Sequence, residues 1–408
     1  MKKLWRISSQ RQPPKAMIRI FGYVLLLPLL FMPSSSQARE LSSQQSSNNE
    51  VVGLLAFKKS SVQSDPKNLL ANWSPNSATP CSWLGVSCSL GHVTTLNLTS
   101  WSQSCIHLSY VNLSHNSISG GTLRFGPSLL QLDLSRNTIS DSTWLTYSLS
   151  TCQNLNLLNF SDNKLTGKLG STPSSCKSLS ILDLSYNPFS GEIPPTFVAD
   201  SPPSLKYLDL SHNNFSGSFS SLDFGNCSNL TWLSLSQNRL SGNGFPFSLR
   251  NCVLLQTLNL SRNELKFKIP GSLLGSLTNL RQLSLAHNLF YGDIPPELGQ
   301  ACQTLQELDL SANKLTGDFL STVVSKLQSL KYLYVPFNNI TGTVPLSLTK
   351  CTQLEVLDLS SNAFTGDVPS KLCSSSNPTA LQKLLLADNY LSGKVPTRAW
   401  KLQELEEH

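Results

Sequence analysis

The chain has 408 residues, 39% hydrophobic and 13% charged, against roughly a quarter charged in an average globular domain. Its formal charge is +7, but Lys2, Lys3, Arg6, Arg11, Lys15 and Arg19 all precede the first acid, Glu40, so the residues beyond 38 carry a net +1. A near-neutral chain without Lys/Arg blocks lacks the positive footprint that nucleic acid and anionic membrane surfaces require, and neither is expected as a partner.

In chain order, the basic stretch runs into Ile20–Met32, an apolar segment broken by Gly22 and Pro28. Ser36-Gln37-Ala38 follows, with small residues where signal peptidase needs them. Residues 1–38 therefore read as a secretory signal peptide, with Met17 as an alternative start that would give a more conventional leader. The segment is shorter than the about 20 apolar residues of a membrane span, and no later stretch does better, so no span is expected. Residues 39–49 form a short linker. Residues 50–92 hold Leu54-Leu55-Ala56-Phe57-Lys58, then Trp73, then Cys81-Ser-Trp83-Leu-Gly85-Val86-Ser-Cys88.

From residue 93 to 396 a pattern L-x-x-L-x-L-x-x-N recurs. Its Asn falls at 116, 137, 163, 187, 213, 238, 263, 288, 313, 338, 362 and 389, spaced 21 to 27 residues apart. A mean near 25 is the leucine-rich-repeat period. Segments such as Leu132-Asp133-Leu134-Ser135 alternate apolar and polar residues, which predicts one short parallel strand per repeat with leucines inward and Asp/Ser outward. The recurrent Asn suits a ladder of side-chain hydrogen bonds where the chain leaves the strand. After each Asn comes a second pattern, as in Phe189-Ser-Gly191-Glu-Ile193-Pro194 and Phe364-Thr-Gly366-Asp-Val368-Pro369. Its Gly and Pro predict short second strands and 3₁₀ turns on the convex side rather than long helices. One irregular repeat precedes the twelve, because only fifteen residues separate Trp101, where a first Asn belongs, from Asn116.

These motifs resemble the plant-specific leucine-rich-repeat class. Leu283-Ser-Leu-Ala-His287-Asn-Leu-Phe-Tyr-Gly-Asp-Ile-Pro-Pro-Glu297, Pro336-Phe-Asn-Asn-Ile-Thr-Gly-Thr-Val-Pro345 and Ala387-Asp-Asn-Tyr-Leu-Ser-Gly393 are similar to the ectodomain of brassinosteroid-receptor-like kinases. The resemblance implies an α/β-repeat fold: a right-handed superhelical solenoid with its parallel sheet on the concave face. It implies that residues 50–92 are an N-terminal cap, a helix plus a hairpin closed by a Cys81–Cys88 disulfide, covering the first repeat's open core. Members of that family also carry an island domain that forms the steroid pocket, a transmembrane helix and a Ser/Thr kinase, none of which is expected here. Residues 397–408 read as a truncated tail without a second Cys pair to cap the core.

Cys105, Cys152, Cys176, Cys227, Cys252, Cys302 and Cys351 share one register, three residues before the first Leu of a repeat. One register means one buried position. Neighbours such as Cys227 and Cys252 fall within disulfide range, but small unpaired thiols pack there equally well, and free thiols are the expectation. Cys373 has no evident partner. No catalytic, cofactor-binding or metal-ligating set emerges. His115, His212 and His287 precede the Asn of their own repeats, the last two about 14 Å apart along the axis. The acids Asp133, Asp183, Asp209, Asp309 and Asp358 read as a solvated ladder, and no G-x-S-x-G, phosphate loop or kinase signature is present.

Binding is expected on the concave sheet, where Tyr207 and Trp232 occupy one position in adjacent repeats, with Tyr332 and Tyr334 four repeats beyond. Sequons at Asn72, Asn97, Asn112, Asn159, Asn214, Asn229, Asn259 and Asn339 permit N-glycosylation in a secreted chain; Asn226, beside Cys227, is the least suited. Asn112, Asn159 and Asn259 occupy inward-sheet positions, where a glycan would obstruct a ligand. The expected function is a non-enzymatic, apoplastic recognition module for a protein or peptide ligand or co-receptor. Steroid hormone is not expected to bind without the island. The alternative is a truncated receptor fragment without independent activity.

Overall fold

The computed structural model describes residues 51–395, apart from 53, 56–57, 59–69, 90–91, 97–108, 120–127, 151, 171–175, 226, 302 and 374–379. The leader, the linker, Asn97, Trp101, Cys105, Asn226, Cys302 and the 397–408 tail therefore lie outside the described residues.

Each of the twelve Asn-bearing repeats contributes a three-residue strand, from Tyr110–Asn112 to Lys383–Leu385, and all join one parallel sheet in sequence order. Pairing is residue for residue: Tyr207, Leu208 and Asp209 face Trp232, Leu233 and Ser234, which in turn face Thr257, Leu258 and Asn259. The middle residues Leu132, Leu158, Leu182, Leu208, Leu233 and Leu258 are fully buried, and so are their partners two positions on, such as Leu210 and Leu260. Each buried Leu stabilises the fold by roughly 1.5–3 kcal/mol, so a 25-residue repeat holds a core only against its neighbours.

The recurrent Asn closes every turn. Asn263 is representative: its Nδ2 donates to Leu235 O at 3.0 Å, Leu260 O at 3.1 Å and Ser261 O at 3.3 Å, and its Oδ1 accepts the Leu240 N–H at 2.9 Å. One amide thus satisfies backbone groups of two successive repeats. The residue before each Asn is left-handed in all twelve repeats, with φ between 52° and 58°, and not one is Gly. That conformation costs about 1–2 kcal/mol for an L-residue. It is held because its N–H reaches the next repeat, as in His212 N–H to Ser236 O at 2.9 Å.

The convex side carries the short second strands expected, including the parallel pairs Ser190–Glu192 with Asn214–Ser216 and Tyr291–Asp293 with Lys314–Thr316. Between the 3₁₀ turns Phe247–Asn251 and Leu346–Lys350 stand helices of four or five residues, and among the described helices only Thr143–Ser150 reaches eight. Gly217 shows why Gly recurs there: beyond its φ of +90°, a Cβ would lie 2.7 Å from the Glu192 side chain of the preceding repeat. At the N-terminal end, Trp73 and Trp83 stack at 5.1 Å, each 2% exposed, above the hairpin Val86–Ser89 and His92–Leu96. Cys81 and Cys88 are disulfide-bonded, with Cα atoms 5.4 Å apart.

The solenoid cysteines correct the free-thiol expectation. Cys152 pairs with Cys176 and Cys227 with Cys252, at Cα separations of 4.7 and 4.9 Å. The reason lies in the register itself: these are the two places where the shared position is Cys in successive repeats, and strand spacing brings such side chains into contact. Cys351 remains a buried free thiol, as expected, because the preceding repeat places Leu327 in that register.

Asn263→Ala should destabilise the chain by about 2–3 kcal/mol in urea unfolding, since it leaves buried carbonyls and the Leu240 N–H without their partner. A non-reducing peptide map should recover Cys227 joined to Cys252, and Cys252→Ala should lower stability by about 2–4 kcal/mol. Recovery of both as alkylatable thiols would refute that pairing.

Candidate functional site

The residues on either side of each buried middle Leu point from the concave sheet. The column before it reads Ile181, Tyr207, Trp232, Thr257, Gln282, Glu307, Tyr332; the column after it reads Asp183, Asp209, Ser234, Asn259, Ser284, Asp309, Tyr334. Parallel in-register pairing brings successive residues of each column about 4.8 Å apart.

Tyr207 and Trp232 stack as their shared position requires, with ring centroids 5.5 Å apart and planes 15° from parallel. Both are partly exposed. Tyr207 Oη donates to Asp209 Oδ2 at 3.3 Å. Burial, then the Asp209 and Asp183 charges, raise the Tyr207 phenol pKa, so it stays a protonated donor. The Trp232 indole N–H is buried, and no acceptor stands in hydrogen-bonding geometry to it.

Beside the rings, Asp183 and Asp209 sit directly opposite each other on adjacent strands. Each carboxylate also holds a turn: Asp183 Oδ1 accepts the Ser185 N–H at 3.0 Å and hydroxyl at 2.7 Å, and Asp209 Oδ1 accepts the Ser211 N–H at 2.9 Å. This corrects the reading of the acids as a solvated ladder, for they replace backbone acceptors where the strand turns. Burial and the Asp209 charge push the Asp183 carboxyl up to about 7, against its hydrogen bonds from Ser185. Burial raises Asp209 as well. Two like charges on neighbouring strands of a half-buried face resist simultaneous ionisation.

Further along, Thr257 Oγ1 donates to Gln282 Oε1 at 3.0 Å and Gln282 Nε2 to Glu307 Oε2 at 3.2 Å, a polar chain across three strands. Tyr332 Oη donates to Glu355 Oε2 at 2.8 Å. Tyr332 and Tyr334 are partly exposed and share a repeat with Phe337, which is 66% exposed at its left-handed position. Phe337 escaped the sequence reading because that position carries no fixed residue type. Tyr207/Trp232 and Tyr332/Tyr334 form two clusters, separated by the polar chain. The histidines do not converge: His212 stacks on Tyr186 instead, with centroids 3.6 Å apart. Asn112, Asn159 and Asn259 take the turn-acceptor role, receiving the N–H of Ser114, Ser161 and Ser261 at 2.9 to 3.0 Å.

Comparison with known proteins fits this architecture. The description "Leucine rich repeat N-terminal domain" matches residues 47–89, and "Leucine rich repeat" matches 192–240, 278–340 and 303–364. With further repeat matches at 127–142, 178–199, 229–252 and 254–276, they cover more than half of the chain. The chain belongs to the leucine-rich-repeat family. Its repeats are similar to those of plant BRI1-like receptor kinases. The chain is 50% identical over 224 residues to Receptor-like protein kinase BRI1-like 3 of Arabidopsis thaliana, covering 51% of this chain and 19% of that protein. It is 38% identical over 250 residues to Brassinosteroid LRR receptor kinase BRL3 of Oryza sativa subsp. japonica, covering 45% and 20%. The chain thus spans about a fifth of the length of the curated relatives it matches. Among solved structures, the plant peptide hormone receptor RGFR1 in complex with RGF2 superposes with a TM-score of 0.61 and 32% identity, over 72% of this chain and 46% of that one. PEPR1–AtPEP1 does so with a TM-score of 0.58 and 25% identity, over 86% and 60%.

The raised Asp183 gives a pH test with a defined sign. Between its ordinary value of 3.8 and about 7, the folded chain holds a proton that the unfolded chain has released. Its contribution to stability is therefore greatest on the acid side, falls as pH rises through that window and levels off above it. Asp183→Asn should gain stability relative to the parent between about pH 5 and about pH 7.5, measured as the urea midpoint at each pH. A gap between the two proteins that does not change with pH would refute the raised value.

Proposed function

We propose that the chain is an extracellular recognition module that binds a peptide or protein segment along its concave sheet, without catalytic chemistry of its own. The observation that carries this reading is the stacked Tyr207–Trp232 pair beside the Asp183–Asp209 carboxylates. Large rings give contact area at low conformational cost. A basic side chain would relieve the repulsion between the two acids, and over Trp232 it would add a cation–π contact. The favoured ligand therefore carries Lys or Arg next to an apolar residue. Tyr332, Tyr334 and Phe337 offer a second contact for an extended ligand or a co-receptor. The peptide hormone receptor RGFR1 among its structural neighbours supports the same reading, and the disulfides among the described residues support secretion into the apoplast. A plasma-membrane receptor of which this chain forms the repeat region is part of the proposal.

Calorimetry of the secreted chain against synthetic peptides with and without a basic residue tests it. Trp232→Ala should weaken a binding peptide at least about tenfold, or about 1.4 kcal/mol. Asp183→Asn combined with Asp209→Asn should abolish the preference for the basic residue and the salt dependence. Circular dichroism checks that the variants fold; unchanged affinity in both would sink the proposal. Brassinosteroid should show no saturable binding, because a steroid needs an enclosed apolar pocket and the outward columns are rich in Asp, Asn, Ser, Thr and Gln.

A further inference from the structure

The sequon Asn214-Phe215-Ser216, like Asn339-Ile340-Thr341, has an exposed Asn side chain, but only Asn214 among the sequon residues lines the depression beside Tyr186 and His212. Asn72 donates its Nδ2 to Ser82 O at 3.0 Å and Asn229 to Pro203 O at 2.8 Å, while Asn112, Asn159 and Asn259 hold turns. Asn214 donates its backbone N–H to Phe189 O at 2.8 Å. Its side chain is exposed at the start of the strand Asn214–Ser216, anchored by the fully buried Phe215.

Asn214 also forms one wall of an open depression of about 420 Å³, shared with Asp162, Tyr186, Pro188 and His212. Tyr186 and His212 lie ring on ring, 17° from parallel, and both occupy left-handed positions that the Asn ladder holds rigidly. Tyr186 is nevertheless 52% exposed. The depression therefore combines a fixed aromatic surface, a carboxylate acceptor and a glycosylatable amide. A pyranose has matching chemistry: its C–H face packs on an aromatic ring while its hydroxyl and acetamido groups seek acceptors at the edge.

We propose that Asn214 is N-glycosylated and that the first sugars of its glycan lie in this depression against Tyr186 and His212. In the attachment, Nδ2 loses a proton and bonds to C1 of the first sugar. The C1–O bond to a lipid-diphosphate carrier breaks, and the carrier leaves with the electron pair; the carrier-linked oligosaccharide is the co-reactant. The seated glycan stands in the same repeat as Tyr207 and Asp209, on the second strand Asn214–Ser216. The inference rests on the proposed passage through the secretory pathway.

Intact-glycopeptide mass spectrometry of the full chain secreted from plant cells should find Asn214 occupied in most molecules. Tyr186→Ala should lower Tm by about 2 °C in the glycosylated chain. In a Ser216→Ala background, which keeps Asn214 and the ring pair but not the sequon, it should lower Tm by less than half as much. Enzymatic release of the Asn214 glycan from the native chain should be about tenfold slower than release from the exposed Asn339, a readout that needs no variant. Vacancy at Asn214 with Asn229 or Asn339 occupied overturns the proposal and leaves secretion standing. Vacancy at every sequon overturns the secretory reading and the proposal together. An occupied Asn214 with equal Tyr186→Ala shifts in both backgrounds, or with release as fast as at Asn339, overturns the seat.

Discussion

One side-chain amide per repeat organises this molecule. A buried Asn such as Asn263 bonds carbonyls of its own turn and of the preceding repeat while accepting an N–H from the latter, so neither repeat can shift without leaving buried polar groups unpaired. The ladder holds the residue before it left-handed twelve times over, at positions that carry His, Arg, Asp, Tyr, Gln, Ala, Phe and Ser. The conformation is imposed by the neighbours, since most of these residue types do not favour it. Strand register, and with it the alignment of side chains into columns, follows from this constraint.

The columns give the concave face its chemistry. Because registers match residue for residue, a ring in one repeat meets whatever the next repeat places there, as Tyr207 meets Trp232 and Asp183 meets Asp209. Stacking the rings is favourable, whereas juxtaposing the acids on a half-buried face is not. The unfavourable pair persists because each carboxylate also satisfies the N–H of a turn. Two carboxyl groups held in fixed geometry are preorganised for a cation, which would favour their joint ionisation.

The same rule accounts for the disulfides. Cys in successive repeats at the shared position pair, and Cys separated by an intervening Leu cannot, which among the described residues gives two staples within the solenoid and leaves Cys351 free. On the convex side the rule reappears in steric form, where Gly217 leaves room for the Glu192 side chain from the repeat before.

Much of this was legible in the sequence. The period near 25 residues, the inward leucines, the Asn ladder and the adjacency of Tyr207 and Trp232 all depend on position along the chain, and a repeat converts position directly into location. The cysteine pairing was legible as well, in the run of Cys through successive registers, but a buried position shared with Leu did not by itself choose between thiol and disulfide. Other features depended on three-dimensional surroundings that periodicity does not encode. The raised Asp183 arises from burial and a facing charge, the Tyr186–His212 stack from left-handed backbone at positions of varied residue type, and the depression beside Asn214 from side chains of several repeats. A repeating sequence determines which residues become neighbours; desolvation and the direction of side chains, which decide what those neighbours do, are set only when the repeats pack.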